Sequence, residues 1–156
     1  MKRITMIGVL GWVFAVGCGN ANKVADGRLE TGWYHVVDSG VGVERKLGDS
    51  LSLFLDPEPV VSVANFETIT TESFPHDSSL WEVVVHLDAD GGKRFSEASG
   101  KLIGQDLTFV LDDSIQISPI RIRAQISSGV TAISKPQFSK AEAVELGAKI
   151  IASKER

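Results

Sequence analysis

The chain has one cysteine, Cys18. No intramolecular disulfide can form, and no thiolate cluster can hold a metal. The fold must therefore rest on its apolar core, without the covalent staples of many small secreted domains. Beyond residue 17 there is no apolar run of bilayer-spanning length, which takes about 20 residues. There is also no block of five or more like charges. The first 17 residues carry two bases, Lys2 and Arg3, and no acid, so removing them takes the formal charge from −4 to −6. An acidic body with scattered charge lacks the clustered basic surface that nucleic acid requires, so no nucleic-acid partner is expected.

The motifs of common chemistries are missing too. There is no Gly-x-Ser-x-Gly elbow and no phosphate-cradling glycine loop. His35, His76 and His86 stand at no metal-ligand spacing. Asp88-Ala89-Asp90-Gly91-Gly92 looks at first like a calcium loop. Counted from Asp88, though, the fifth position is Gly92 and the twelfth is Ser99, so the required ligands are absent. The aspartates are better read as the N-cap of a helix, where a carboxylate accepts free backbone N–H groups. Neither metal nor cofactor is expected, and the chain is read as non-enzymatic.

What remains is ample for a globular domain. The 156 residues are 43% hydrophobic, enough for one core. The chain opens MKRITMIGVLGWVFAVGC. A short basic stretch precedes the uncharged apolar run Ile4–Val16, which is signal-peptide length and short for a membrane span. Gly17 supplies a small residue directly before Cys18. The segment resembles a bacterial lipoprotein signal, with Ala15 standing where that family favours a larger aliphatic. The resemblance implies cleavage before Cys18 and acylation of its thiol. It also implies an extracytoplasmic domain anchored to a membrane by lipid. Gly19 lacks the aspartate linked to inner-membrane retention, which implies the outer membrane in a two-membrane cell. The domain reading is thus signal 1–17, flexible tether 18–30 (small and polar) and a folded domain 31–156.

Within that domain, Gly32–Val37, Leu51–Leu55, Val60–Val63 and Phe66–Thr71 have β character, and residues 72–79 read as a loop. Trp81–Leu87 alternates, with Trp81, Val83, Val85 and Leu87 on one face. A helix to about Gly100 follows, with Phe95, Ala98, Leu102 and Ile103 as its apolar stripe. Leu107–Leu111, Asp112-Asp113 and Ser114–Ser118 read as a tight hairpin. Ile120, Ile122 and Ile126 suggest an extended segment, and Thr131–Ser134 a short strand. Ser139 and Glu142 match a capping box opening a last helix, with Ala141, Val144, Ala148 and Ile151 on one face. Trp33, Tyr34 and Trp81 are expected in the core or packed on a sheet. The fold class expected is α+β: a mainly antiparallel sheet with two helices on one side, β-α-β-β-β-α from residue 81, preceded by extra β segments.

LDADGGKRFSEAS, LIGQDLTFVLDDSIQISPI and TAISKPQFSKAEAVELGAKI run in the order found in the head subdomain of the first periplasmic domain of SecD. The resemblance is carried by Asp90-Gly91, Phe95, Ile103-Gly104, Leu107, Leu111-Asp112, Ser118-Pro119, Ile133-Ser134 and Phe138-Ser139. It covers roughly 80–140 well and 30–70 loosely. It implies a domain that handles or binds polypeptide in export. Full SecD carries its proton-coupled function on transmembrane helices, so energy coupling is not expected from this chain alone. Asp113 stands where the family usually has glycine.

The segment Pro119–Val130 alternates isoleucine with arginine. It reads as an exposed edge strand whose charges guard against aggregation, or as a partner-binding edge centred on Arg121, Ile122 and Arg123. The partners expected are a membrane, through the lipid on Cys18, and secreted polypeptide or an envelope protein. The alternatives are a structural or regulatory envelope lipoprotein unrelated to export, and an enzyme with an unrecognised site, which would need a deep polar pocket.

Overall fold

A computed structural model describes residues 27–156. The signal segment, Cys18 and most of the tether lie outside the described residues. The strands are β1 (Gly32–Val37), β2 (Val43–Leu47), β3 (Leu51–Leu55), β4 (Val61–Ser62), β5 (Phe66–Phe74), β6 (Asp77–Leu87), β7 (Asp106–Leu111), β8 (Ser114–Ile115), β9 (Ile120–Arg121) and β10 (Val130–Ile133). The helices are α1 (Ala89–Lys101) and α2 (Lys140–Lys154). The α+β class is as expected, and every strand pair is antiparallel.

The strands divide into two sheets. One runs β2-β3-β1-β7-β8, with β4 also on β1 and β9 also on β7; the other runs β10-β6-β5. The chain crosses from the first to the second at a short 3₁₀ turn, Val63–Asn65. One core unites them. It takes Trp33 from β1, Phe66 from β5, Val83 and Val85 from β6, Phe95 from α1, Phe109 from β7, and Ala143, Leu146 and Ile150 from α2. Tyr34 and Val110, the sequence neighbours of Trp33 and Phe109, project to the other face of the first sheet. There they join Leu29, Leu53, Leu55 and Ile115 in a second cluster.

Both helix starts form as their residues dictate. Asp88 Oδ1 accepts the Gly91 N–H at 2.6 Å. Ser139 Oγ accepts the Glu142 N–H, while the Glu142 carboxylate accepts the Ser139 N–H at 3.0 Å.

Four details depart from the sequence reading. Residues 72–79 are not a loop but the tips of β5 and β6, joined at Pro75-His76. This arm extends past the core, so its strands carry the exposed polar residues usual in loops. Strand β2 was not anticipated. Its residues VERKL bury no side chain fully and pair only with β3. On α1, Ile103 lies beyond the helix end and is 54% exposed. On α2 the expected face is the wrong one: Ala143, Leu146, Gly147 and Ile150 are buried, while Val144 and Ile151 are about half exposed. The helix is apolar on both sides, so periodicity could not choose between them. The chosen face brings Gly147 close to Thr71, Ile69 and Val83.

Candidate functional site, a groove between two strand edges

A cavity of about 330 Å³ opens beside β9 and β10, within the span usual for ligand sites. Its floor includes Trp33, Phe95 and Leu107. The stretches Ile120–Ile126 and Val130–Ala132 line the rest. Trp33 is held in orientation by its indole Nε1–H, which donates to Thr131 Oγ1 at 3.1 Å. Phe109 meets it edge-on at 5.5 Å between centroids, and Phe95 lies tilted at 6.3 Å.

The Ile120–Ile126 stretch is tied down at both ends. At the β9 end, the Arg121 guanidinium donates to both Asp106 carboxylate oxygens, at 2.9 and 3.0 Å. That hydrogen bonding holds the Asp106 carboxyl below the usual carboxylate range and raises Arg121 in turn. At the far end, Gln125 Nε2 donates to the Ser96 carbonyl and hydroxyl, and the buried Ser99 hydroxyl accepts the Ile126 N–H at 2.9 Å. Two serines three residues apart on α1 thus dock an otherwise irregular segment.

The two sides also offer free backbone. Leu87 N–H bonds the Gly129 carbonyl at 2.8 Å, and the register continues through Val130↔His86 and Thr131↔Val85. Antiparallel pairs alternate between those that exchange backbone bonds and those that do not. Val130 and Ala132 therefore turn their N–H and C=O groups away from β6, where no described strand pairs with them; both groups of Val130 meet the Ser128 hydroxyl at 3.3 Å, which leaves those of Ala132 to offer. Ile122 N–H likewise bonds the Gln105 carbonyl at 2.9 Å, in register with Leu107↔Ile120 and Asp106↔Arg121. Arg121 accordingly turns its backbone groups away from β7.

Of the three residues expected at this edge, Arg121 and Arg123 are exposed and line the groove. Ile122 lines the groove as well, from its inner wall. It is 5% exposed and belongs to the main core. The regular paired edge is also shorter than Pro119–Val130, since only Ile120 and Arg121 form a strand. The alternation of isoleucine and arginine located the edge. The floor was missed as part of a site, because Trp33 and Phe95 carry the same signature as any core aromatic. Among the described residues no three of His, Cys, Asp and Glu gather as a metal site, and no helix is long and apolar enough to cross a membrane.

A second polar cluster surrounds the β7–β8 turn. Asp112 and Asp113 have φ of 46° and 73°, both left-handed as a tight two-residue hairpin requires. Asp113 is tied to two other parts of the chain by its contacts. Its Oδ1 accepts the Leu29 N–H at 2.8 Å and Arg45 Nε–H at 2.8 Å. Burial pushes the Asp113 carboxyl up, but these hydrogen bonds and the charges of Arg45 and Arg28 outweigh it and leave the group below its ordinary value. Asp112 pairs with Arg156 at 2.5 Å. The turn thereby fastens both the entry and the exit of the described chain.

Comparison with known proteins places this architecture. No curated protein matches the chain. A crystal structure of SecDF in a super-membrane-facing form superposes with a TM-score of 0.61 at 20% identity, covering 79% of this chain and 18% of that one. A structure of SecDF described as a membrane component that enhances protein export gives 0.58 at 18% identity, covering 81% of this chain and 62% of that one. The chain thus spans only part of either SecDF chain, and at these identities the likeness is one of fold. Residues 42–153 match the family described as the SecDF P1 head subdomain. With that match over most of its length, the chain belongs to the SecDF P1 head family.

Proposed function

We propose that this chain is a non-enzymatic, lipid-anchored envelope protein whose head domain binds extended polypeptide in protein export. The observation that carries the reading is the groove: an apolar floor beside two strand edges with backbone groups to offer. An extended peptide can add its own N–H and C=O groups to such an edge while an alternate side chain enters the apolar floor. Sequence-tolerant binding of this kind suits chains that are not yet folded. Membership of the SecDF head family supports a link to export, and the SecDF structure described as enhancing export points the same way. Anchoring is assigned to acylation of Cys18, with 1–17 removed, 18–30 as tether and 31–156 as the folded unit.

The test is in-cell photocrosslinking from Ile120 or Arg123, followed by mass spectrometry. Capture of exported chains or translocon subunits is the expected result. Recovery of one unrelated envelope protein from both positions would replace this reading with a regulatory lipoprotein. Palmitate labelling checks the anchor: label is expected on the wild type and lost in Cys18→Ser, and equal labelling of both would refute lipidation at that residue.

A further inference from the structure

The two arginines on the groove differ in what they can still bind. Arg121 has both carboxylate oxygens of Asp106 within hydrogen-bond distance. Its charge is matched, and its fork is occupied. Arg123 lies two residues further on, is exposed and lines the same groove. Among the described residues no carboxylate lies within ion-pair distance of it. The remaining polar groups of the lining, Gln125 and Thr131, are engaged with Ser96 and Trp33. Arg123 is thus an uncommitted cation beside an apolar cavity in a chain of net charge −4.

Taking the groove as the polypeptide site proposed above, we infer that Arg123 makes it selective: it favours extended segments carrying a carboxylate close to the apolar side chain seated on the floor. A planar guanidinium meets a carboxylate through two parallel hydrogen bonds. The pair would form at a rim open to water, so its contribution is that of an exposed ion pair. A preference of about two- to five-fold is expected, falling as salt rises. The selectivity also has a physical use. A segment with only apolar groups would be held by the floor and the strand edge in several registers, whereas one with a nearby acid is held in a defined one.

The experiment uses the full-length protein in detergent and two labelled strand-length peptides of alternating valine and serine. They differ only in having Glu or Gln at one central polar position. Affinities are measured by fluorescence anisotropy at low and high salt. The expected result is tighter binding of the Glu peptide. The ratio should fall to one in Arg123→Gln, persist in Arg123→Lys and reverse in Arg123→Glu. Equal binding of both peptides to the wild type would overturn the selectivity and leave the groove as a peptide site. A preference that survives in Arg123→Gln would overturn the role of Arg123. Failure of both peptides to bind the wild type would overturn the selectivity together with the polypeptide reading on which it rests.

Discussion

Replacing Ile122 by alanine separates a surface edge from a core wall. Ile122 and Ile120 are both isoleucines of the same segment, two residues apart, yet one is 5% and the other 46% exposed. Only Ile120 lies in β9, whereas the backbone of Ile122 bonds Gln105 and Gly104 just past its end, which sets the second side chain into the core. Truncating Ile122 removes three buried carbons, about 2.4 kcal/mol at ~0.8 kcal/mol per carbon. The space left behind adds to that cost, and core truncations of this kind span about 2–5 kcal/mol. Because the new space merges with an open groove, a value near the low end, about 2–3 kcal/mol, is expected. The same change at Ile120 should cost about 1 kcal/mol, in proportion to the area it buries. For a domain of this size a loss of 2–3 kcal/mol lowers the melting temperature by roughly 8–12 °C. Urea unfolding followed by circular dichroism reads both variants, with an unchanged m-value as the check that only stability has moved. If Ile122→Ala cost no more than Ile120→Ala, Ile122 would not be the core residue described above.

Two further outcomes test the polar turn and the start of α1. Asp113→Asn keeps a side chain that tolerates the left-handed turn but removes the charge facing Arg45. Because the folded-state pKa of Asp113 is depressed, its contribution is present above the unfolded value of about 3.9 and lost as pH falls through the folded value. The wild type should therefore lead the variant by about 1 kcal/mol near neutrality, and the gap in pH-dependent urea melts should close in acid; a gap constant across that range would refute the clamp. At α1, Gly92→Ala should stabilise by up to about 1 kcal/mol through helix propensity, since its Cβ would meet only Gly129 Cα at 3.5 Å. Gly91→Ala should destabilise by about 1–3 kcal/mol through overpacking, since its Cβ would fall 2.6 Å from Asn65 Cβ. Thermal melts giving both changes the same sign would contradict the packing of α1 against Asn65.

The chain's own residues were enough to determine what local chemistry controls. Gly32–Val37 forms a strand over those bounds because its aromatic and β-branched side chains suit a buried pleat. Asp88 and the Ser139–Glu142 pair set the two helix starts, since capping needs only residues within one turn. The order of elements from residue 81, save that four strands and not three lie between α1 and α2, and the resemblance to the SecD head were legible for the same reason: caps, turns and alternation recur at fixed spacing. The lipid address proposed at Cys18 is of another kind: it is a reading of the residues before it and lies outside the described residues.

Tertiary structure decided whatever depends on which of two acceptable surfaces another element covers. Helix α2 has apolar residues on both faces, and only docking on β5 and β6 buried Ala143, Leu146 and Ile150 in place of Val144 and Ile151. The polar arm of β5 and β6 is strand because each edge pairs with the other, although its composition is that of a loop. Strand β2 exists because β3 lies beside it. Ile122 is core because backbone bonds to Gln105 and Gly104 fix its segment against the core. The groove is the clearest case. Trp33, Phe95 and Arg123 are far apart in the chain, and no local pattern marks a site whose floor and rim meet only when two sheets and a helix pack together.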